Sequence, residues 1–157
     1  MKINWKKLAV CIAIPLAVGA TAAFLTRGGM SEFKTLMKPP LSPPAWVFGV
    51  VWTILYTLMG ISSYLISEAK ATSEDKESAL TTYFYQLVVN FLWPIFFFSF
   101  GWYLFSFFLL LFLWILVHGM RQKFSAISKL ASRLNIPYIV WLTIAACLNF
   151  GIWWLNR

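Results

Sequence analysis

Residues 80–120 read LTTYFYQLVVNFLWPIFFFSFGWYLFSFFLLLFLWILVHGM, an apolar run with few interruptions. One membrane-spanning helix needs about 20 mostly apolar residues, and this run is about twice that length. It breaks most naturally at residues 99–102, where Gly101 permits a tight turn. The stretch therefore predicts two transmembrane helices, 80–98 and 103–120, joined by a very short connection.

The composition of the whole chain agrees with a membrane protein. It is 61% hydrophobic and 11% charged, whereas a soluble domain averages about 45–50% apolar and about 25% charged residues. Three more segments are long and apolar enough to span a bilayer, at about 8–26, 46–67 and 134–154. We therefore predict an all-α integral membrane protein, in which residues 1–157 form one domain. The domain is a bundle of five transmembrane helices, with a long loop at 27–45.

The first apolar segment has a second interpretation. A basic start, an apolar centre and the small residues 20–22 are also typical of a cleaved signal peptide. Against cleavage, the apolar run continues through Phe24 and Leu25. Small residues also recur at a spacing of four, which predicts a face for close helix packing. These residues are Ala9, Ala13 and Ala17.

The net charge of +8 does not indicate nucleic-acid binding, because the basic residues lie between apolar runs and form no tract. With five spans, nine Lys and Arg residues share a side with the N-terminus and four lie on the other side. The excess of positive charge in cytoplasmic loops predicts a cytoplasmic N-terminus and an external loop 27–45.

Few residues suggest metal or acid–base chemistry. Cys11 and Cys147 both lie inside apolar runs, which favours small side chains within the membrane over a disulfide or a metal site. His118 ends an apolar run, so an interfacial polar residue is expected, with a ligand or proton-relay role as the alternative. We predict no catalytic residue, no metal site and no obligatory cofactor.

Aromatic and amide side chains inside the spans form three sets, each on one helix face. The sets are Trp52 with Tyr56, then Asn90 with Trp93 and Phe97, and finally Trp141 with Ala145 and Asn149. At a rise of about 1.5 Å per residue, their polar groups fall mostly in the half of the membrane under loop 27–45. Aromatic walls with few polar groups predict a pocket for a flat apolar ligand. The alternative is purely structural, with Asn bonding another helix and Trp packing.

The segment KPPLSPP, residues 38–44, precedes the second span. Ser42 is predicted as the helix N-cap, with Pro43 at the first helical position. Pro39 and Pro40 favour extended polyproline geometry, so this ribbon is expected to lie across the bundle as a stiff lid. Pro94 is expected to kink the third span or to free a carbonyl. Residues 121–133 are basic and predict an amphipathic surface helix.

Three segments together resemble the TspO/MBR family, also called the translocator protein, tryptophan-rich sensory protein or peripheral-type benzodiazepine receptor family. They are KPPLSPPAWVFGVVWTILYTLMGI, QLVVNFLWPIFF and IPYIVWLTIAACLNFGIWWLN, in that order along the chain. The resemblance implies five helices, usually a homodimer, in a bacterial cell membrane. It also implies a pocket under the first loop that takes porphyrins such as protoporphyrin or haem, sterols and synthetic drug-like molecules. The implied ligand-binding residues are Pro43, Pro44, Trp52, Tyr56, Asn90, Trp93, Phe97, Trp141, Ala145 and Asn149.

The sequence departs from the family pattern in two places. Many relatives carry a Trp-Tyr pair in the first loop, where this chain has Glu32 and Phe33. A loop tryptophan is linked in the family to light-dependent porphyrin breakdown, so this departure argues against that chemistry. The C-terminal sterol pattern also lacks its tyrosine, since none follows Tyr138. We therefore expect a sensor or carrier; the alternatives are a porphyrin-degrading photo-oxidative enzyme and a membrane scaffold without a ligand.

Overall fold

The computed structural model describes residues 2–157, and every regular element in that range is helical. Five helical segments are long and apolar enough to cross a membrane. The predicted all-α bundle of five transmembrane helices is therefore confirmed. The helices are α1 (Trp5–Thr26), α2 (Met30–Thr35), α3 (Ala45–Glu68), α4 (Ser73–Pro94), α5 (Tyr103–Ile127), α6 (Lys129–Leu134) and α7 (Ile136–Leu155).

The break in the long apolar run lies where the sequence predicts it. The α-helical pattern of α4 gives way after Pro94 to a π-helical turn, Ile95–Ser99. Proline has no N–H to donate to the preceding turn, so regular α-helical bonding is weakened there. Gly101 follows with φ +66°, a left-handed conformation that glycine adopts without steric cost. The chain can therefore reverse direction in a few residues and enter α5.

Two spanning helices extend further than predicted at their ends remote from loop 27–45. α4 begins at Ser73, not at residue 80, because Thr72 accepts a hydrogen bond from the Asp75 N–H at 3.1 Å. α5 continues to Ile127, not to residue 120. The surface helix predicted over 121–133 is therefore divided: its first half belongs to α5, and the rest is the short α6, which the Ser128 side chain caps.

The predicted helix cap of the second span, Ser42 with Pro43 as the first helical residue, is wrong by two residues. α3 begins at Ala45, and its N-cap is Pro44 in an extended conformation, with no side-chain capping bond. Ser42 instead donates its hydroxyl to the Pro39 carbonyl at 2.8 Å. A residue that precedes proline is disfavoured in the α region, and both Ser42 and Pro43 precede one. The Pro-Pro pair therefore delays the helix.

α1 packs on α3 through glycine contacts rather than through the predicted alanine face. A Cβ on Gly60 would lie 2.6 Å from the Cys11 carbonyl oxygen, and one on Gly19 would lie 2.8 Å from Cδ2 of Tyr56. Only glycine allows helices to approach this closely. The predicted packing residues Ala9, Ala13 and Ala17 are all exposed.

The ends of α1 and α3 away from loop 27–45 are joined by polar contacts. The Asn4 N–H donates to the Tyr64 hydroxyl at 2.9 Å, and the Lys7 ammonium pairs with Glu68. The hydrophobic core lies between α3, α4, α5 and α7, and buried polar side chains such as Gln86, Asn90 and Asn135 lie within the bundle as well. The core extends to the wall of a cavity, because Tyr56 and Ala145 belong to both.

Candidate functional site

A cavity of about 600 Å³ lies in the half of the bundle under loop 27–45. It is enclosed by α1, α3, α4 with its π-helical turn, and α7, and its size is typical of small-molecule sites, at roughly 300–1,000 Å³. Seven of the ten predicted ligand-binding residues line it. These are Trp52, Tyr56, Asn90, Trp93, Phe97, Ala145 and Asn149.

Two stacked aromatic pairs form flat parts of the wall. Trp52 stacks on Tyr56 with ring centroids 5.5 Å apart, and Trp93 stacks on Phe97 at 5.2 Å. Each pair follows the helical spacing predicted from the sequence, and the two pairs lie on different helices. Planar rings present broad apolar faces, so the cavity favours a ligand that is itself flat and apolar.

A buried hydrogen-bond chain fixes one side of the cavity. The Tyr56 hydroxyl donates to Oδ1 of Asn90 at 2.6 Å, and Nδ2 of Asn90 donates to the Tyr138 hydroxyl at 2.7 Å. Tyr138 in turn donates to Oε1 of Gln86 at 2.8 Å. The chain joins α3, α4 and α7, and a polar network of this kind holds its members in one arrangement.

Sequence reasoning missed Gln86 and Tyr138 as members of this network. One signal was present, because Gln86 precedes Asn90 by four residues and so lies on the same face of α4. A similar signal was present for Tyr138, which precedes Trp141 by three residues, so that it lies on the same face of α7 and meets Asn90 from that helix.

A second polar contact joins three helices, one turn along α4 from Asn90 toward the end of that helix. Nε1 of Trp93 donates to Oδ1 of Asn149 at 3.0 Å, and Nδ2 of Asn149 donates to the Tyr103 carbonyl at 2.8 Å. The interhelical bonds expected under the structural alternative are therefore present. Each primary amide carries two N–H groups, so Asn90 and Asn149 each keep one donor beyond these bonds.

Trp141, Pro43 and Pro44 do not line the cavity. The buried Trp141 ring packs edge-on against Phe48, at 5.5 Å, and Phe48 is part of the wall. Within residues 2–157, Nε1 of Trp141 has no hydrogen-bond partner. Pro44 caps α3, whose first residue, Ala45, lines the cavity. Trp141 and Pro44 therefore adjoin the wall from outside, next to Phe48 and Ala45.

The cover of the cavity differs from the predicted lid. α2 lies over the cavity and contributes Met30 and Phe33 to its lining. The Phe33 ring contacts Phe97 and Phe98 at centroid distances of 5.9 and 5.2 Å. A short helix within loop 27–45 closes the cavity, and the proline ribbon does not.

The proline ribbon is fixed to the end of α7. The Asn156 side chain accepts from the Met37 N–H at 3.0 Å and donates to the Met37 carbonyl at 2.8 Å. Pro39 packs directly against Gly151. The ribbon therefore anchors one end of the loop, so that α2 is held in place over the cavity.

The interior of the cavity carries no charge. None of its lining residues within 2–157 is Asp, Glu, Lys, Arg or His. The Lys38 ammonium lies 4.7 Å from the centre of the Phe33 ring, and Lys38 is outside the lining. His118 lies on α5 and stacks on Trp114, away from the cavity. Burying a charged group in such a wall would be costly, so the cavity suits a neutral molecular surface.

Comparison with known proteins agrees with this architecture. The sequence profile of the TspO/MBR family matches residues 11–155. The tryptophan-rich protein TspO of Archaeoglobus fulgidus is 36% identical, over 98% of this chain and 99% of that protein. Protein CrtK of Rhodobacter capsulatus is 34% identical, over 88% and 85% of the two chains. The translocator protein of Bos taurus is 34% identical, over 92% and 86%. With five membrane-spanning helices and these relatives, the chain belongs to the TspO/MBR family of integral membrane proteins.

Proposed function

We propose that this protein is a membrane sensor or carrier that binds porphyrins and similar flat apolar molecules, including sterol-like and benzodiazepine-like ones. The observation that supports this proposal is the uncharged cavity with its two stacked aromatic pairs. The macrocycle of a porphyrin such as protoporphyrin or haem is planar and apolar, so such walls can contact its faces. Its charged propionates would have to lie outside the uncharged lining. The free amide donors of Asn90 and Asn149 would orient polar atoms of the ligand.

Titration of the purified protein with protoporphyrin tests the proposal. Binding should quench tryptophan fluorescence, because two of the nine tryptophans, Trp52 and Trp93, line the cavity. Trp52→Ala should weaken binding about five- to thirty-fold, since base-sized stacking contacts contribute about 1–2 kcal/mol. Trp114→Ala is the matched control, because Trp114 lies on α5 outside the cavity. Wild-type protein that shows no saturable quenching would refute the proposal.

A scaffold without a ligand is the second candidate, and one observation favours it. The polar groups of the cavity already pair with one another, as in the Trp93–Asn149 bond. Ala145→Leu separates the two functions, because it fills the cavity from α7 without removing any of these bonds. A scaffold should keep its cellular effect in this variant, whereas a ligand-dependent sensor or carrier should lose it.

We also propose a homodimer with a cytoplasmic N-terminus in a bacterial cell membrane. The exposed residues Ala9, Ala13 and Ala17 would allow a second copy of α1 to approach closely. The excess of basic residues on the N-terminal side supports the orientation. Mass measurement of the detergent-solubilised protein tests the dimer, and labelling of a cysteine introduced at Lys2 in intact cells tests the orientation.

A further inference from the structure

One part of the cavity wall is built only from small residues. Ala20 and Ala23 of α1 and Gly49 and Thr53 of α3 line the cavity, and all four are exposed. No atom lies within 4 Å of the position that a Cβ on Gly49 would occupy. The wall between these two helices is therefore thin, and space is open beside Gly49.

The thin part of the wall has clear limits. Toward the membrane centre it ends where the Tyr56 ring fills the space beside Gly19. Toward the surface it ends at α2, whose Met30 lines the cavity. Gly49 and Thr53 lie four and eight residues into α3 from Ala45, or roughly 6 and 12 Å along the helix axis. The hydrocarbon core is about 30 Å thick, so this level faces acyl chains.

This thin part of the wall, formed by Ala20, Ala23, Gly49 and Thr53, is called the seam below. Its surroundings are apolar as well. The Thr53 hydroxyl donates to the Gly49 carbonyl at 2.7 Å, so it presents no free donor. The neighbouring side chains of Phe24, Val50 and Ile54 are exposed hydrophobic groups that face lipid. In contrast, the aqueous end of the cavity is covered by α2 and the aromatic contacts of Phe33.

From this arrangement we propose that ligands pass between the bilayer and the cavity laterally, through the seam between α1 and α3. The inference rests on the proposed function, because it concerns the route of the same flat apolar ligands. Such molecules concentrate in the bilayer, where the seam lies, because transfer of apolar surface out of water is favourable. The seam also requires no movement of α2 or of the anchored proline ribbon.

The test uses the full chain in phosphatidylcholine vesicles with protoporphyrin as the probe, and stopped-flow quenching of tryptophan as the signal. Gly49→Leu and Ala23→Leu place a branched side chain in the seam from either helix. Gly119→Leu is the matched control, because its added side chain also meets open space, on α5 outside the cavity wall. Gly28→Leu adds the same bulk beside the aqueous cover, where Gly28 has open space around it.

The two seam variants should slow association and dissociation at least about ten-fold, while Gly119→Leu and Gly28→Leu should keep wild-type rates. In the wild type, association should follow the mole fraction of protoporphyrin in the membrane rather than its aqueous concentration. The proposal would be overturned if both folded seam variants kept the wild-type association and dissociation rates, or if these variants only dissociated faster. It would also be overturned if the wild-type association rate followed the aqueous concentration of protoporphyrin. If the wild type binds no protoporphyrin at equilibrium, the proposed function fails instead, and the two failures are distinguishable.

Discussion

Gly19 lines the cavity beside the Tyr56 ring, and Gly19→Ala tests how far the shape of the cavity depends on this close contact. An added Cβ would lie 2.8 Å from Cδ2 and 2.9 Å from Cζ of Tyr56, which is closer than carbon atoms pack. Either α1 moves away from α3 or the Tyr56 ring turns. The ring is stacked on Trp52, and its hydroxyl donates to Asn90 at 2.6 Å, so turning disrupts both contacts.

The expected magnitude follows from three effects. Overpacking of a close contact costs about 1–3 kcal/mol. Loss of the Tyr56–Asn90 hydrogen bond destabilises the fold by about a further 0.5–1.5 kcal/mol. The better helix propensity of alanine offsets about 0.5–1 kcal/mol of this destabilisation. We therefore expect a net loss of about 1–3 kcal/mol in the free energy of unfolding. Protoporphyrin affinity should also fall about five- to thirty-fold, corresponding to about 1–2 kcal/mol, because the displaced ring lines the cavity.

Thermal unfolding in detergent and equilibrium titration measure these two quantities. Gly119→Ala is the matched control, because its Cβ meets no atom within 4 Å and Gly119 lies outside the cavity, so stability should stay unchanged or improve slightly and affinity should stay unchanged. A double-mutant cycle with Tyr56→Leu adds a second test, since the smaller side chain makes room for the new methyl group. Gly19→Ala should then cost less in the Tyr56→Leu background than in the wild type. A Gly19→Ala protein with wild-type stability and affinity would refute this account of the α1–α3 contact.

Three further predictions concern single contacts. Asn156→Ala removes both hydrogen bonds to Met37, so hydrogen exchange should accelerate at the non-proline residues of 36–44 and in α2, which this contact holds in place; exchange as slow as in the wild type would contradict the anchoring role. Gly101→Ala should lower stability by about 1–2 kcal/mol, because φ is +66° there, and an unchanged melting temperature would exclude this strain. Asn90→Ala should cost about 2–4 kcal/mol, because the buried Tyr56 hydroxyl loses its acceptor and the Tyr138 hydroxyl loses a donor while keeping Gln86. Trp114→Phe should cost under about 1 kcal/mol, and equal losses would argue against the network.

The sequence alone predicted the number of spans, the short turn at Gly101 and three helix faces that carry the aromatic and amide residues. These features are local, because a spanning helix needs a continuous apolar run and residues three or four apart share a helix face. Seven of the ten predicted ligand-binding residues consequently line one cavity. Trp141 could not be separated from them by spacing, since it precedes Ala145 by one helical turn yet packs behind the wall against Phe48.

The tertiary structure decided how the helix faces meet. It placed α1 in the cavity wall and fixed that position through Gly19 and Gly60, whereas the sequence pattern pointed to an alanine face that proved to be exposed. It also made α2 the cover and moved the proline ribbon to the end of α7, where Asn156 binds it from 119 residues away. Periodicity specifies which side chains share a face, but the partner of each face depends on contacts between distant segments. The sequence therefore determined the aromatic and amide content of the cavity, and packing of the bundle determined its walls, its cover and its thin side.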